Sequence, residues 1–470
     1  MAVLDQLSPQ RVFYHFERLC GIPHGSGNTK AVSDDCMDFA RQHGLEAEQD
    51  EYGNVLIRKA ASPGYETHPP VILQGHLDMV CEKEPGSSVD FTRDGLELFI
   101  DGDWIGARGT TLGGDDGIAV AMGLAILEDD TLAHPSLEVL FTTDEETGMD
   151  GAVGLDASRL QGRRLINADS EEEGVLTVGC AGGARAELRI PVGREAVSLP
   201  AYTVTVGGLT GGHSGAEIHK GRLNANIVMG QFLAGLPGDW RLVSLAGGRK
   251  DNAIPRQAVC VLAGEDPTAA AAAFEAAHRC PADPGLTLTV APAGAVTEAV
   301  TAADSKRLAQ FLSTVKNGVQ AMSRQIEGLV ETSLNLGVLT LERDALTAVF
   351  SVRSSVNAAK AALLADLKQT AAAFGGRYAD HGHYPAWEYR ENSPLRDVMV
   401  AVYEEQCGEK PTVEAIHAGL ECGLFSEKLP GLDAVSFGPR MRDIHTTRER
   451  LCISSVGRTY AYLCRVLEKL

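Results

Sequence analysis

Short apolar runs that alternate with helical patterns restrict the fold of this chain more than any other feature. Two strand-like runs, VILQGH from Val71 and LEVLFTT from Leu137, are bounded by turn residues. Between them, the stretch from Gly117 to Glu128 has the apolar density of a packed helix, and a third run, RRLINAD, ends at Asp169. Strands that alternate with helices predict an α/β domain whose mainly parallel sheet is covered by helices on both faces.

This pattern is interrupted in the middle of the chain. After Gly183 the order becomes strand, glycine-rich loop, helix and further strands, as in AYTVTVGG followed by GGHSGAEIHKG. From Pro394 a helix, two strands and a closing helix restore the first pattern. We therefore predict one discontinuous α/β domain over residues 1–183 and 393–470, with an inserted α+β lid domain over residues 184–392.

The charge of the chain limits its partners. It has 63 acidic against 42 basic residues, a formal net charge of -21, so nucleic acids and anionic membranes would be repelled. The N-terminal segment is typical of an amphipathic helix, not of a signal peptide, and no segment approaches the apolar length of a membrane span. The ten cysteines are scattered and form no C-x-x-C pair. Together these features predict a cytoplasmic protein with reduced, mostly buried thiols.

Acidic and imidazole side chains follow the predicted strands at the points where the strands end. In open α/β sheets, ligands bind in the crevice beyond the carboxyl ends of the strands. We therefore expect residues from several distant segments to meet at one edge of the sheet. The candidates are His76, Asp78, Asp115, Glu145, Glu146, Asp169 and His445.

The chemistry of these residue types indicates a metal site. So many carboxylates in one place would repel each other unless cations were present. Histidine and carboxylate ligands without thiolates suit zinc, manganese or cobalt. One carboxylate shared by two ions about 3.5–4 Å apart makes a co-catalytic pair, with a second carboxylate as general base. Asp78 is placed to accept the other N–H of His76, and the adjacent Glu145 and Glu146 can point in different directions.

Long motifs in a fixed order resemble the co-catalytic zinc exopeptidases, the family that includes dipeptidases, aminoacylases and carnosinases. The motifs are GHLDMV, TTLGGDDGIAVAMGLAIL, TTDEETGMDGAVGL, LINADSEEEG, GGHSGAEIHKGRLNA, DNAIPR and HAGLECGLF. They cover essentially the whole chain. The resemblance implies a zinc-exopeptidase-type catalytic domain with a lid. It also implies hydrolysis of dipeptides with a free N-terminus, including Xaa-His, by a metal-bridging water.

The resemblance further implies how the ligands are shared between two divalent cations, with zinc expected and manganese or cobalt as alternatives. Asp115 would bridge the two ions. His76 and Asp169 would complete one site, and Glu146 and His445 would complete the other. The partner implied is a small peptide, and a homodimer is left open.

The same resemblance assigns three catalytic roles. Glu145 would be the general base, and Asp78 would orient His76. In the lid, His213 of GGHSG resembles the histidine that steadies the oxyanion and contacts the substrate. A turn histidine in a glycine loop is the plainer interpretation of His213.

Three more residues resemble positions that hold the C-terminal end of the substrate: Asn252 and Arg353 of the predicted lid, and Gly419. The planar fork of an arginine matches a carboxylate, so Arg353 suits this task. The structural alternatives are that Arg353 pairs within the lid sheet and that Asn252 caps a turn.

The chain departs from the family in one motif. Around its last histidine the family usually has H-S-P-D-E, whereas this chain has His445, Thr446, Thr447, Arg448 and Glu449. The histidine and the glutamate are retained, so ligation is expected. Because of this departure, the resemblance does not determine the substrate preference or the shape of the pocket floor.

Two other functions stay open on the sequence. The first is a different amide hydrolase of the same family, an N-acyl amino acid deacylase or a carboxypeptidase. The second is a non-catalytic metal- or peptide-binding protein on the same scaffold, against which the retention of both Glu145 and Glu146 argues. The sequence contains neither H-E-x-x-H nor a phosphate-binding G-x-x-x-x-G-K-[ST] motif.

Overall fold

The computed structural model describes residues 2–470, which form two compact units. The first unit comprises the chain up to Gly179 together with Tyr389–Ala415 and Leu420–Leu470. The second comprises Cys180–Glu388 and Ile416–Gly419. The predicted boundaries, after residues 183 and 392, each lie four residues beyond these divisions (183 against 179, 392 against 388), and the prediction assigned Ile416–Gly419 to the first domain.

Twelve α-helices and 23 strands make up the described chain. The helices are α1 (Gln10–Cys20), α2 (Lys30–Gln42), α3 (Gly114–Glu128), α4 (Glu145–Gly148), α5 (Asp150–Gly154), α6 (Ala225–Gly235), α7 (Thr268–His278), α8 (Ala302–Thr314), α9 (Asn357–Ala373), α10 (Pro394–Cys407), α11 (Glu421–Lys428) and α12 (Ile453–Lys469). The strands are β1 (Glu46–Gln49), β2 (Val55–Lys59), β3 (Val71–His76), β4 (Leu98–Asp101), β5 (Trp104–Ala107), β6 (Leu137–Thr142), β7 (Arg164–Asn167), β8 (Val175–Cys180), β9 (Gly182–Pro191), β10 (Arg194–Gly207), β11 (Gly212–His213), β12 (Arg241–Gly247), β13 (Ala253–Ile254), β14 (Ala258–Ala263), β15 (Thr287–Val300), β16 (Gly318–Met322), β17 (Val330–Leu341), β18 (Ala345–Ser354), β19 (Arg377–Tyr384), β20 (Thr412–Ile416), β21 (Asp433–Ser436), β22 (Met441–Arg442) and β23 (Arg450–Cys452).

The first unit is built on an eight-stranded sheet with the order β1-β2-β6-β3-β7-β21-β8-β20. Its central strands β6, β3, β7 and β21 are parallel, whereas β1 and β2 on one side and β8 on the other pair antiparallel with their neighbours. The prediction of an α/β fold with a mainly parallel sheet is confirmed. Because parallel strands end at the same edge, the residues that follow β3, β6 and β7 are brought close together.

Burial on both faces explains why the central strands were visible as apolar runs. Every residue of β3 and β6 is buried, as expected for strands covered by helices on both sides. The helix α3 is buried from Gly117 to Leu127, and α1 packs Phe13 and Phe16 into the same core. This rigid centre supports the loops at the strand ends.

A second, smaller sheet of the first unit has the order β22-β23-β5-β4 and is antiparallel. It pairs Leu451 with Ile105 and Met441 with Leu451. The segment that contains His445 is therefore the connection between β22 and β23.

The second unit has an antiparallel sheet of its own, with the order β15-β10-β14-β12-β17-β18-β9-β19 and β16 paired to β17. The helices α6 to α9 belong to this unit, which has a separate apolar core that includes Phe232, Phe311 and Phe350. The combination of an antiparallel sheet with helices agrees with the predicted α+β class.

Local signals account for several helix ends. Helix α10 has Pro394 in its first turn, and the hydroxyl of Ser393 accepts the backbone N–H of Arg396. It ends at Gly408, whose φ of 78° is left-handed. Helix α6 begins after Asn224, which accepts two backbone N–H groups.

Among residues 2–470, no helix combines the length and the apolar composition that crossing a bilayer requires. Six of the ten cysteines are buried, as predicted, while Cys81 and Cys407 are exposed.

Candidate metal centre and active site

His76 is the last residue of β3 and is 1% exposed. Its Nδ1 lies 3.0 Å from the backbone oxygen of Asp78 and 3.4 Å from the Asp78 carboxylate. Its Nε2 lies 3.1 Å from Oδ1 of Asp115. A proton on Nδ1 donated to Asp78 leaves the Nε2 lone pair for a metal ion, the usual arrangement of a histidine ligand.

Asp115, at the start of α3, faces two imidazoles from distant segments. Its Oδ1 is directed to Nε2 of His76, and its Oδ2 lies 3.1 Å from Nε2 of His445. The peptide bond between Asp115 and Asp116 is cis. One carboxylate that presents a different oxygen to each histidine has the disposition of a ligand shared by two ions.

Asp78 also organises the turn that follows β6. Its carboxylate accepts the backbone N–H groups of Glu145 at 3.0 Å and Glu146 at 3.3 Å, and it accepts the hydroxyl of Ser26 at 2.8 Å. From this turn, Oε1 of Glu146 reaches Nε2 of His445 at 2.8 Å. Asp78 therefore holds His76 and both glutamates from one position.

Asp169 follows β7, and its Oδ1 lies 3.7 Å from Nε2 of His76. The neighbouring carboxyl of Asp116 was not singled out in the sequence. Asp116 is fully buried; its Oδ2 accepts the backbone N–H of His76 at 3.2 Å, while its Oδ1 has no hydrogen-bond partner among the described residues. The doubled aspartate of LGGDDG was the signal that could have pointed to it.

Side chains from separate segments form three groups. Within each group, the candidate ligand atoms lie within 4.8 Å of one another. The groups are His76–Asp116–Asp169, His76–Glu145–Glu146 and Asp115–Glu146–His445. The structure thus brings together all the metal ligands proposed from the sequence. It differs in two respects: Asp116 rather than Asp115 shares a group with His76 and Asp169, and Glu145, which was predicted as the base, shares a group with His76 and Glu146.

Burial and crowding disfavour the ionised forms of Glu145 and Asp169, whereas, against the effect of burial, hydrogen bonds to the histidines lower the pKa of Asp115 and Asp78. Burial raises the pKa of Glu145 to about 8, and the carboxyls of Glu421 and Glu146 add to the effect. Burial likewise raises the pKa of Asp169 well above its usual range, with a contribution from Asp116. Like charges in a low-dielectric site repel one another, and a divalent cation removes this penalty.

The pKa values of the two histidines in the site are also raised, which favours their charged forms. Hydrogen bonds to Asp115 and Glu146 raise the pKa of His445 to about 10. Against the effect of burial, the bonds to Asp115 and Asp78 raise the pKa of His76 well above its usual range. A proton on each imidazole ring, that of His76 and that of His445, places positive charge next to the carboxylates.

The donor set fits divalent cations. The three groups contain imidazole nitrogens and carboxylate oxygens but no thiolate, a combination that suits zinc, manganese or cobalt. The buried, unpartnered Oδ1 of Asp116 is a further oxygen that a cation would satisfy.

The residues predicted in the lid belong to the second unit. His213 ends β11, and its Nδ1 accepts the backbone N–H groups of Gly215 at 3.2 Å and Ala216 at 3.0 Å. A neutral ring therefore carries its proton on Nε2 and can donate it. The backbone oxygen of Asn252 accepts the N–H of Ser214 at 2.9 Å, which places Asn252 beside this loop.

Arg353 is 9% exposed near the end of β18, and its Nη1 donates to the hydroxyl of Tyr384 at 3.0 Å. A side chain at position 419 would lie 2.8 Å from the Tyr384 ring, so Gly419 permits this close approach. His417, which the sequence analysis passed over, is buried with its Nε2 2.7 Å from the Ser333 hydroxyl. Burial, together with Arg353, lowers the pKa of His417 to about 4.

Comparisons with known proteins agree on one family. Residues 72–469 match the family described as Peptidase family M20/M25/M40. The chain is 38% identical over 482 residues to the cytosol non-specific dipeptidase of Escherichia coli (strain K12), covering 100% of this chain and 99% of that protein. Two solved structures share the fold. Aminoacylhistidine dipeptidase from Vibrio alginolyticus has a TM-score of 0.93 and 37% identity, covering 99% of this chain and 98% of that one. Aminopeptidase PepT from Bacillus cereus ATCC 10987 has a TM-score of 0.58 and 16% identity, covering 98% and 99%.

Proposed function

The chain belongs to peptidase family M20/M25/M40 and is a peptide hydrolase, and on this premise we propose that it cleaves dipeptides with a free N-terminus, Xaa-His dipeptides among them. The full-length relative from Escherichia coli is named a non-specific dipeptidase, and the relative from Vibrio alginolyticus an aminoacylhistidine dipeptidase. The first name places that relative in the cytosol, and we propose the same compartment for this chain.

The observation that carries the proposal is the position of Asp115 between His76 and His445, with one oxygen directed to each. In this proposal Asp115 would be shared by two divalent cations. His76 and Asp169 would hold one ion, and Glu146 and His445 would hold the other. Zinc is the proposed metal, with manganese or cobalt as alternatives, because all three accept mixed nitrogen and oxygen ligands.

When bound, the two cations supply Lewis acidity, which lowers the pKa of the attacking water and polarises the scissile carbonyl. Glu145 takes the proton of that water and later delivers it to the leaving amine. Its position supports this role, because Glu145 directly precedes the proposed ligand Glu146 and its backbone N–H is held by the Asp78 carboxylate at 3.0 Å.

Asp78 is proposed to position the side chains that take part in the reaction. It orients His76 through Nδ1, and it holds the backbone of Glu145 and Glu146 through two N–H groups. A base that must reach one proton needs such a fixed backbone, because a displacement of about 1 Å costs as much as about 100-fold in rate.

We further propose substrate-binding roles for four residues of the second unit. Arg353 is proposed to bind the terminal carboxylate, since its Nε has no partner among the residues described and its guanidinium is planar. His213 is proposed to donate from Nε2 to the oxyanion, because Nδ1 already accepts backbone N–H groups. Asn252 and Gly419 are proposed to shape the same carboxylate subsite.

A direct test combines metal content with substrate choice. The purified protein is expected to contain two divalent ions per chain and to hydrolyse Ala-His. N-acetyl-Ala-His should be cleaved at least about 100-fold less efficiently. A chelator should abolish the activity, and adding Zn²⁺ or Mn²⁺ back should restore it. Cleavage of the acetylated peptide alone, or full activity after the ions have been removed, would contradict the proposal.

A further inference from the structure

Glu449 is a buried carboxylate for which the proposed reaction has no use. It is 3% exposed and lies four residues after His445. Within residues 2–470, no Lys, Arg or His forms an ion pair with it. A buried carboxylate is costly unless hydrogen bonds satisfy it, so its partners indicate its role.

The partners of Glu449 are backbone N–H groups of one loop. Its Oε2 accepts the N–H of Leu112 at 2.7 Å and of Gly113 at 3.2 Å. Its Oε1 accepts the N–H of Gly114 at 2.8 Å and of Asp115 at 3.5 Å. Four successive backbone N–H groups, which run from the loop before α3 into its first two residues, form an anion-binding concavity, and here a side chain from the far end of the chain fills it.

The glycines of this loop provide the space for the carboxylate. A Cβ at Gly114 would lie 3.2 Å from Oε1 of Glu449. Gly113 has a left-handed φ of 68°, and a Cβ there would lie 2.9 Å from the sulfur of Met79. The segment of residues 112–114 therefore has room for the Glu449 carboxylate, and Asp115 follows this segment directly.

At its other end, Glu449 closes the turn that follows His445. The N–H of Glu449 donates to the backbone oxygen of Thr446 at 3.1 Å. The Thr446 hydroxyl donates to the backbone oxygen of Asp443 at 2.7 Å and accepts the N–H of Arg448 at 3.1 Å. His445 thus lies in a compact turn whose last residue is bonded to the loop of Asp115.

We propose that Glu449 is a positioning residue, which joins the loop that presents Asp115 to the turn that presents His445 and so sets the separation of these two metal ligands. The inference rests on the proposed function, because the separation matters only if both side chains hold cations. Groups that orient metal ligands from behind typically change metal affinity or activity by about 10- to 100-fold when they are altered.

The first unit contains a matched control. Glu138 is also 3% exposed, and its carboxylate accepts the backbone N–H groups of Gln161 at 3.0 Å and Gly162 at 2.7 Å; unlike Glu449, it also lies 3.9 Å from Nε of Arg58. It lies near the start of β6, whereas the metal ligands follow the ends of the strands. Glu138→Gln therefore removes a buried acceptor of backbone N–H groups without touching a ligand segment.

The experiment measures metal affinity and not only activity. Wild type, Glu449→Gln and Glu138→Gln are freed of metal, and Zn²⁺ is titrated in competition with a chromophoric chelator. We expect two ions per wild-type chain and binding that is about 10- to 100-fold weaker in Glu449→Gln. Glu138→Gln should bind both ions within about 2-fold of wild type, although both variants lower the thermal midpoint of the metal-free protein.

Wild-type affinity for both ions in Glu449→Gln would overturn the inference, as would an equal loss of affinity in Glu138→Gln. If Glu449→Gln does not fold, Glu449→Asp serves instead, because it keeps the charge and withdraws the carboxylate by one methylene. The same weakening is expected there, and wild-type affinity would again refute the role. A wild-type chain that binds no pair of ions would refute the proposed function itself, a result distinct from any difference between variants.

Discussion

The candidate sites of the two units have opposite electrical character. In the first unit, carboxylates such as Glu145 and Asp169 are buried and crowded, and their pKa values are raised. In the second unit, Arg353 lies among histidines, and burial together with Arg353 lowers the pKa values of His213 and His417.

Burial raises the pKa of acidic side chains in the first unit and lowers the pKa of histidines in the second unit. Burial penalises whichever charge a side chain carries, and neighbours of like charge add to the penalty. Glu145 and Asp169 of the first unit and His213 and His417 of the second therefore all favour their neutral forms. Two cations would complete the candidate site of the first unit, and the carboxylate of a peptide would complete that of the second.

The largest expected effect removes the base from the acidic site. Glu145→Gln keeps the shape of the side chain but cannot accept a proton, so kcat/KM for Ala-His should fall by about 10²- to 10⁴-fold. The metal content should stay at the wild-type level, because Glu145 is proposed as base and not as ligand. Steady-state kinetics and elemental analysis of the same preparation check this. Activity within 10-fold of wild type would remove Glu145 from the reaction.

The next effect tests the basic site. Arg353→Ala should lower kcat/KM for free dipeptides by about 30- to 100-fold, since losing one partner of a buried charge pair costs about 2 kcal/mol or more. The preference of wild type for a free C-terminus over a C-terminal amide should disappear in the variant. Arg189→Ala, which removes an exposed arginine of the same sheet paired with Asp344, is the control and should leave both values unchanged. A preserved preference in Arg353→Ala would show that another group binds the carboxylate.

Metal removal should affect the two units unequally. Ligands that bind only the folded state stabilise it by about 2.7 kcal/mol when their free concentration is 100 times Kd. Chelation should therefore speed hydrogen exchange in β3 and α3 of the first unit, while exchange in β17 and β18 of the second unit changes little. Mass-spectrometric exchange with and without chelator measures both. Exchange that is unchanged in β3 and α3 would place the cations elsewhere.

The smallest expected effect concerns pH. The unfolded chain binds a proton at His417 below its ordinary pKa of 6.5, whereas the folded chain does so only below about 4. The contribution of neutral His417 to the free energy of unfolding is therefore fully present above pH 6.5. It decreases as the pH falls toward 4, and about 2 kcal/mol of it is lost at pH 5. His417→Gln should lose correspondingly less stability between pH 8 and pH 5 in urea unfolding.

His15 of the first unit provides the comparison for this measurement. Its burial also lowers its pKa to about 4, so His15→Gln should reduce the acid sensitivity of the first unit by a similar amount. Equal acid sensitivity of wild type and both variants would contradict the assignment of these two histidines as buried neutral groups.

Much of the fold could be predicted from the sequence. The runs read as strands from Val71 and Leu137 are β3 and β6, and the apolar stretch from Gly117 lies within α3. These elements are buried on every side, so their apolar runs are continuous and easy to recognise. The divisions between the units were harder, because the segment Ile416–Gly419 belongs to the second unit although its neighbours in the chain belong to the first.

The candidate site could be predicted where motifs supplied the residue types. It could not be predicted where hydrogen bonds join segments that are far apart in the chain. The carboxylates and histidines around Asp115 were named from their motifs. The role of Glu449 depends on a bond to Leu112, 337 residues away. Glu421 is completely buried and accepts hydrogen bonds from Gln74, 347 residues earlier, and from Thr142. Neither contact leaves a local pattern in the chain.

The sequence by itself determined the α/β class, the order of strands and helices, and the chemical types at the strand ends, because periodicity and residue chemistry are local properties. Only the tertiary structure decided which oxygen of Asp115 faces which histidine, that Asp116 joins His76 and Asp169, and that Glu449 supports the loop before α3. Such assignments depend on distances near 3 Å between segments hundreds of residues apart, and packing of the sheets and helices sets those distances.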